Sequence, residues 1–474
     1  MRVFPASIKK WRGFAPNLVR SRISLIVILA LLSRLIYITF TVDPEYDSYD
    51  RFVKGILLLP NPYDFRHHWC WLPLFQYIDS ILYWLTGSYT SVRIFSTICG
   101  STSIILLYKI TLKVSGLEEA AFISSLLMTF NPLVFIYDTT GMTEPFFTML
   151  LLSVLYFFIH DRVLLGSIPI AISCLVRYEA WFLSPILYFL ALVRRRSKLW
   201  VVVLSGLIPL ASIGLWLYIN YAYYGDPLKF LKLLEGYLAT RLQRPSLGEG
   251  GLLSVETFLL PFRHLVGYLL FLTPPVFFEA ILGIKRCVRR DLDTITLAVL
   301  ALSYLSLHTY FLISGRSEGW FRYCIPGIPI FIFFAAHHVV KREKKLITPY
   351  RFLSASLILS LASIVVMTIW NIYAMTPILE TSLWLKTNAK DGRILCIRTP
   401  IMVLSGIPVE RFVFLWSRDI DRPVFLRFLE RENISYVVSH FGYYSNLCEN
   451  FTIAFSSTES LYTIYVVNRT AIKP

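Results

Sequence analysis

Apolar residues fall into long runs separated by short polar stretches, and most runs approach the ~20 residues that cross a ~30 Å hydrocarbon core. They cover 23–41, 91–113, 119–138, 143–160, 163–176, 180–193, 199–222, 256–284, 293–313, 322–340 and 350–373. The segments 163–176 and 180–193 are short and read as half-length helices that turn at Arg177-Tyr178-Glu179. About eleven spans result, which puts the two termini on opposite sides of a membrane. The segment 73–87 is apolar but too short to cross and is predicted as an interfacial helix on the outer surface. The first run follows a basic stretch and lacks a small-residue cleavage site, so it reads as an uncleaved anchor. Beyond residue 376 no spanning run occurs. Arg393–Arg398, Tyr436–His440 and Leu461–Val467 alternate as strands do, and Asp421–Arg431 reads as a helix. The predicted fold is an α-helical polytopic membrane protein, with a transmembrane domain over 1–375 and a small α/β domain over 376–474.

Composition agrees with the pattern: 56% of the 474 residues are hydrophobic and 16% charged, against roughly 25% charged in soluble domains. The net charge of +16 does not imply nucleic acid, because the basic residues sit between apolar runs, where they fix orientation. Segments expected to be cytoplasmic hold 22 Lys/Arg and those expected outside hold 10. The N-terminus is therefore predicted to be cytoplasmic and the C-terminal domain extracytoplasmic, in a multi-pass plasma-membrane protein. The three N-x-S/T sequons, at Asn433, Asn450 and Asn468, all lie in that domain. The seven cysteines show no CxxC spacing, which argues against a structural zinc site. Cys396 and Cys448 share the C-terminal domain and are the candidates for a disulfide in an oxidising compartment.

Four polar constellations punctuate the apolar runs. The first outer loop opens with Asp43-Pro44-Glu45-Tyr46-Asp47-Ser48-Tyr49-Asp50, four carboxylates that repel one another unless a proton, a metal ion or arginines compensate them. His67-His68-Trp69 and Trp71-Leu72-Pro73-Leu74 follow, readable as substrate contacts, a weak metal site or an aromatic interfacial belt. Next comes Asp138-Thr139-Thr140-Gly141-Met142-Thr143-Glu144-Pro145, where Glu144 opens an otherwise apolar helix. The third is Arg177-Tyr178-Glu179, and the fourth is Arg316 with Arg322-Tyr323. Charges at membrane depth are costly and tend to line cavities. All four groups are expected on one face, which describes a polar cavity with acids for a proton or a metal and arginines for an anion.

In this order the motifs resemble the GT-C glycosyltransferases that use polyprenyl-phosphate-linked sugars, especially the protein mannosyltransferase and aminoarabinose transferase branch and its archaeal members. Ser33-Arg34-Leu35, Asp47-Ser48-Tyr49, Trp71-Leu72-Pro73-Leu74, Arg93, Gly100, the Gly141–Pro145 stretch, Arg177-Tyr178-Glu179, Tyr224-Gly225-Asp226-Pro227 and Arg322-Tyr323 carry the likeness. The family often has Asp-Glu where this chain has Asp47-Ser48, so Asp43 and Asp50 are rival candidates for the base; no WWDYG-type signature occurs. The resemblance implies transfer of a sugar from a polyprenyl (dolichyl) phosphate to an acceptor hydroxyl on a glycan, lipid or protein, with inversion. Asp47 would be the general base, Arg177 and Arg322, with Arg316, would bind the donor phosphate, and Glu144 would orient the acceptor or help Asp47 hold a divalent cation (Mg or Mn). Tyr178, Glu179, His67, His68, Trp71 and Tyr323 would line the substrate site. A secondary transporter, with charged residues in broken helices, and an inactive lipid-linked-sugar-binding scaffold are the competing readings.

Overall fold

A computed structural model describes residues 7–194, 197–242, 262–287, 291–342, 348–415 and 421–467. Asn468, the first residues of the basic N-terminal stretch and the beginning of the 256–284 run lie outside them. The chain divides into two compact units. One comprises residues 1–40, 64–78 and 90–366, and the other 41–63, 79–89 and 367–474.

The first unit is helical. Its elements include α1 (Ser7–Phe40), α4 (Thr90–Ser115), α5 (Glu118–Thr129), α6 (Pro132–Tyr137), α7 (Glu144–Ile159), α8 (Val163–Cys174), α9 (Glu179–Arg194) and α10 (Leu199–Tyr224). After α11 (Lys229–Leu242) come α12 (Phe262–Phe271), α13 (Pro274–Cys287), α14 (Leu292–Ile313), α15 (Ile328–Lys341) and the start of α16 (Pro349–Asn388). Among the described residues six helices are long and apolar enough to cross a membrane, or up to seven if the bent pair α12–α13 counts as one span. The remaining predicted spans correspond to shorter helices, for local reasons. The 119–138 run breaks after α5, where the Asn131 side chain caps Val134 N at 3.1 Å and Pro132 opens α6. The 256–284 run bends by 115° between α12 and α13. There Thr273 adopts a left-handed φ of 66° and Pro274-Pro275 cannot continue the preceding helix. The 322–340 run, one of the six, starts as a 3₁₀ turn over Phe321–Gly327 before α15.

The second unit contains α2 (Tyr46–Leu58), the later part of α16 and a five-stranded sheet, and α3 (Leu74–Thr86) spans the segment boundary at 78/79. The strands β1 (Arg393–Leu395), β2 (Phe412–Val413), β3 (Ile434–His440), β4 (Thr452–Ser456) and β5 (Tyr462–Val466) lie in the order β2-β1-β3-β5-β4. β1 pairs in parallel with β2 and β3, and the other pairs are antiparallel. Alternating side chains point to opposite faces of a strand. Val438 and Ile464 accordingly pack with Tyr49 of α2 and with Met375, Ile378 and Leu385 of α16. Val437 and Tyr465 pack on the other face with Phe425 and Leu429 of a helix over Arg422–Arg431. The acidic loop is thus half helix. From Tyr46 it forms α2, whose buried Tyr49, Phe52, Val53 and Ile56 repeat at helical spacing and face the core. Cys396 and Cys448 are both buried free thiols, which corrects the disulfide expectation.

Candidate functional site

In the first unit, Arg177 sits in the turn between α8 and α9 and is the hub of a buried charge cluster. Its Nη1 donates to Glu144 Oε1 at 2.7 Å and to Thr143 Oγ1 at 3.2 Å. Its Nε and Nη2 donate to Glu179 Oε1 at 3.0 and 2.7 Å. Glu144 is the first residue of α7 and Glu179 the first of α9, so both carboxylates also meet a positive helix end. Arg322, from the 3₁₀ turn, places its Nε 3.7 Å from Glu144 Oε1. The Tyr323 ring lies under both guanidiniums, 5.5 Å from Arg177 and 5.7 Å from Arg322, and stacks on His308 at 5.2 Å. His308 Nε2 is 3.5 Å from Glu179 Oε1. Two guanidiniums and two carboxylates balance formally, and the charge-assisted bonds fix the fork of Arg177.

A second buried pair holds the approach to Glu144. Arg34 Nε meets Asp138 Oδ2 at 2.9 Å, and its Nη2 donates to Thr129 O at 3.0 Å. Arg93 Nε donates to Thr139 O at 2.7 Å and Thr97 Oγ1 to Asp138 O at 2.8 Å. The Asp138 carboxylate fits only because residue 100 is glycine: a Cβ there would lie 2.1 Å from Asp138 Cγ. Both Arg93 and Gly100, which carry part of the family likeness, therefore seat the segment that delivers Thr143 and Glu144.

In the second unit, Asp43 is fully buried and orders the loop that starts α2. Its oxygens accept from Glu45 N and Ser48 Oγ, both at 2.8 Å, and from the Tyr89 hydroxyl. Burial and the adjacent Asp43 push the Tyr89 phenol up, so it stays protonated and donates. Asp50 pairs with Lys54 at 2.9 Å. Asp47 is half-buried in the first turn of α2.

The other sequence candidates have local partners. The Tyr178 hydroxyl donates to Cys70 O at 3.0 Å, and its ring stacks on Phe230 at 5.1 Å. His68 is buried against the Gln76 side chain and the rings of Tyr77 and Trp216. His67 lies 3.5 Å from Asp64. The Asp64 carboxyl is held well below the usual range, chiefly by its bond to Arg66. Trp71 meets Trp69 edge-on at 5.8 Å. Arg316 is exposed, and among the described residues its side chain has no ion-pair partner. Of the donor-phosphate candidates, the first unit groups Arg177 with Arg322 and leaves Arg316 outside the cluster. The sequence reading passed over His308, although an ionisable residue inside an apolar run is itself a signal.

Among the described residues no group of three His, Cys, Asp or Glu side chains is placed to hold a metal ion. At Glu144 a cation would meet Arg177 and Arg322. The residues there do not fit a resident divalent ion.

Solved structures share this architecture. ArnT from Cupriavidus metallidurans in the apo state superposes with a TM-score of 0.66 at 12% identity, over 97% of this chain and 99% of that one. The chain has the GT-C fold. The same protein bound to undecaprenyl phosphate gives 0.63 at 12% identity, over 94% and 99%. The archaeal oligosaccharyltransferase AglB from Archaeoglobus fulgidus, in complex with an inhibitory peptide and a dolichol-phosphate, gives 0.51 at 13% identity, over 97% and 75%. Residues 72–218 match the family model for dolichyl-phosphate-mannose-protein mannosyltransferase. No curated protein sequence matches the chain. The GT-C resemblance drawn from short motifs is borne out, and so is a helical membrane fold with a C-terminal sheet.

Proposed function

We propose that the protein is a membrane glycosyltransferase that moves a sugar from a polyprenyl-phosphate donor to an acceptor hydroxyl on the outer face of the membrane. The observation that carries this reading is the buried cluster of Arg177 and Arg322 with Glu144 and Glu179, on a fold whose solved examples include complexes with undecaprenyl phosphate and dolichol-phosphate. The family model that matches 72–218 is named for a mannosyl donor, which makes a hexose the first donor to test.

The chemistry is a single displacement. The acceptor oxygen attacks the anomeric carbon, the bond from that carbon to the phosphate oxygen breaks, and the polyprenyl phosphate leaves with the electron pair. Inversion follows from one in-line step. Asp47 takes the hydroxyl proton as general base. Asp43 orders the loop that starts α2 and Asp50 pairs with Lys54, and both stay rival candidates for the base. Arg177 and Arg322 stabilise the phosphate as charge develops on it, with Arg177 preset by Glu144 and Glu179. The basic-residue bias supports a cytoplasmic N-terminus and an extracytoplasmic C-terminal domain. No step is routed through a metal, and running the reaction with and without a chelator reads directly whether a divalent cation takes part.

Arg322→Gln tests the anion role. Removing one donor to a developing oxyanion costs on the order of 10²–10³ in rate, so transfer from a labelled polyprenyl-phosphate hexose is expected to fall by that factor, together with affinity for polyprenyl phosphate. Wild-type rate and affinity in Arg322→Gln would remove the arginine from the reaction.

A further inference from the structure

Among the described residues, the half-buried arginines of the C-terminal region are compensated, with one exception. Arg393 pairs with Glu432 at 2.7 Å and Arg422 with Glu449 at 3.9 Å. Arg411 donates to the carbonyls of Ala389 and Gly392 at 2.8–3.1 Å. Arg398 has no carboxylate partner among the described residues. Its Nη2 donates to the ring of His440, its guanidinium lies 5.4 Å over the Tyr46 ring, and its Nε is enclosed without a hydrogen-bond partner. The Tyr46 and Tyr462 hydroxyls meet at 3.1 Å beside it. Burial and the Arg398 charge push His440 down to about 4, so at neutral pH the imidazole is an uncharged acceptor that leaves the guanidinium charge unbalanced. A half-buried guanidinium with unused donors and no carboxylate beside it is favourably completed by an anion. All these residues belong to the second unit, and Tyr46 precedes Asp47 in the first turn of α2.

We propose that Arg398, with Tyr46 and Tyr462, forms an oxyanion subsite that takes an acidic group on the acceptor and sets its hydroxyl beside Asp47. The acceptor class is then an acidic glycan or glycolipid. This deepens the transferase reading and rests on it. The edge of the Arg398 guanidinium not used by His440 meets a carboxylate, one of the two mutually bonded hydroxyls is left to donate, and the Tyr46 ring, 37% exposed, offers an apolar face to a sugar. The other source of an oxyanion is the phosphate of the donor lipid, and the test separates the two.

The probes are methyl glucuronide, methyl glucoside and polyprenyl phosphate, titrated by ligand-observed NMR against the full chain in zwitterionic nanodiscs. Binding is read without turnover, so a failure of the transferase reading leaves this result intact. Hydrogen bonds to a charged group imply a preference for the glucuronide of about tenfold. Arg398→Gln should abolish that preference, Arg398→Lys should keep part of it, and polyprenyl phosphate affinity should stay unchanged in both. Equal binding of the two glycosides by wild type, or an undiminished preference in Arg398→Gln at an unchanged melting temperature, would overturn the subsite. A loss of polyprenyl phosphate affinity in Arg398→Gln would overturn the acceptor assignment and give the residue to the donor.

Discussion

Arg34 and Asp138 are 0% and 1% exposed and bonded at 2.9 Å, so each charge is shielded from solvent. Removing one partner of a buried ion pair costs about 3–5 kcal/mol, whereas replacing both with apolar groups is often neutral. Arg34→Met and Asp138→Leu are each expected to lower the melting temperature in detergent sharply, and the double variant to lie nearer wild type than either single one. Additive losses would show that the two residues are not coupled. Gly100→Ala should resemble Asp138→Leu, because its Cβ would occupy the carboxylate's place. The sequence displayed these residues as separate short motifs. Their pairing across 104 positions is a property of packing, which no local pattern carries.

At the level of elements, most helices were legible because an apolar run needs only hydropathy to be seen. The errors have local chemical causes. Asn131-Pro132 and Thr273-Pro274-Pro275 interrupt runs whose hydropathy is continuous, so breaks hid inside predicted spans. Carboxylates masked α2, yet Tyr49, Phe52, Val53 and Ile56 keep its helical period. β3 and β5 were visible as alternating strands, whereas β4, with three of its five residues exposed, two at its start and one at its end, was not. His440 closes β3 among Arg398, Tyr46 and Tyr462, and its pKa is lowered from 6.5 to about 4. Protonation therefore costs the folded state more than the unfolded one. The His440 contribution is complete above pH 6.5 and is lost as pH falls toward 4. The melting temperature of His440→Gln should fall less than that of wild type across this window, and parallel profiles would show that the imidazole takes up its proton alike in the folded and unfolded chain.

On the scale of the whole molecule, charge bias and fold agree on a multi-pass membrane protein, and orientation is the part that needs a direct reading. Glu449 lies in the second unit and Lys285 near the end of α13, and both side chains are exposed. In intact cells an impermeant thiol reagent is expected to label Glu449→Cys and to reach Lys285→Cys only after permeabilisation; the reverse pattern would invert the orientation. The proposed chemistry is sugar transfer from a polyprenyl-phosphate donor with a carboxylate base. It is tested most directly by supplying a radiolabelled polyprenyl-phosphate hexose to wild type and Asp47→Asn in native-like membranes. Inverting transfer by wild type and a loss of at least about 10²-fold in the variant are the expected results. Folded wild-type protein that transfers no sugar from any such donor, or Asp47→Asn that transfers at the wild-type rate, would contradict it.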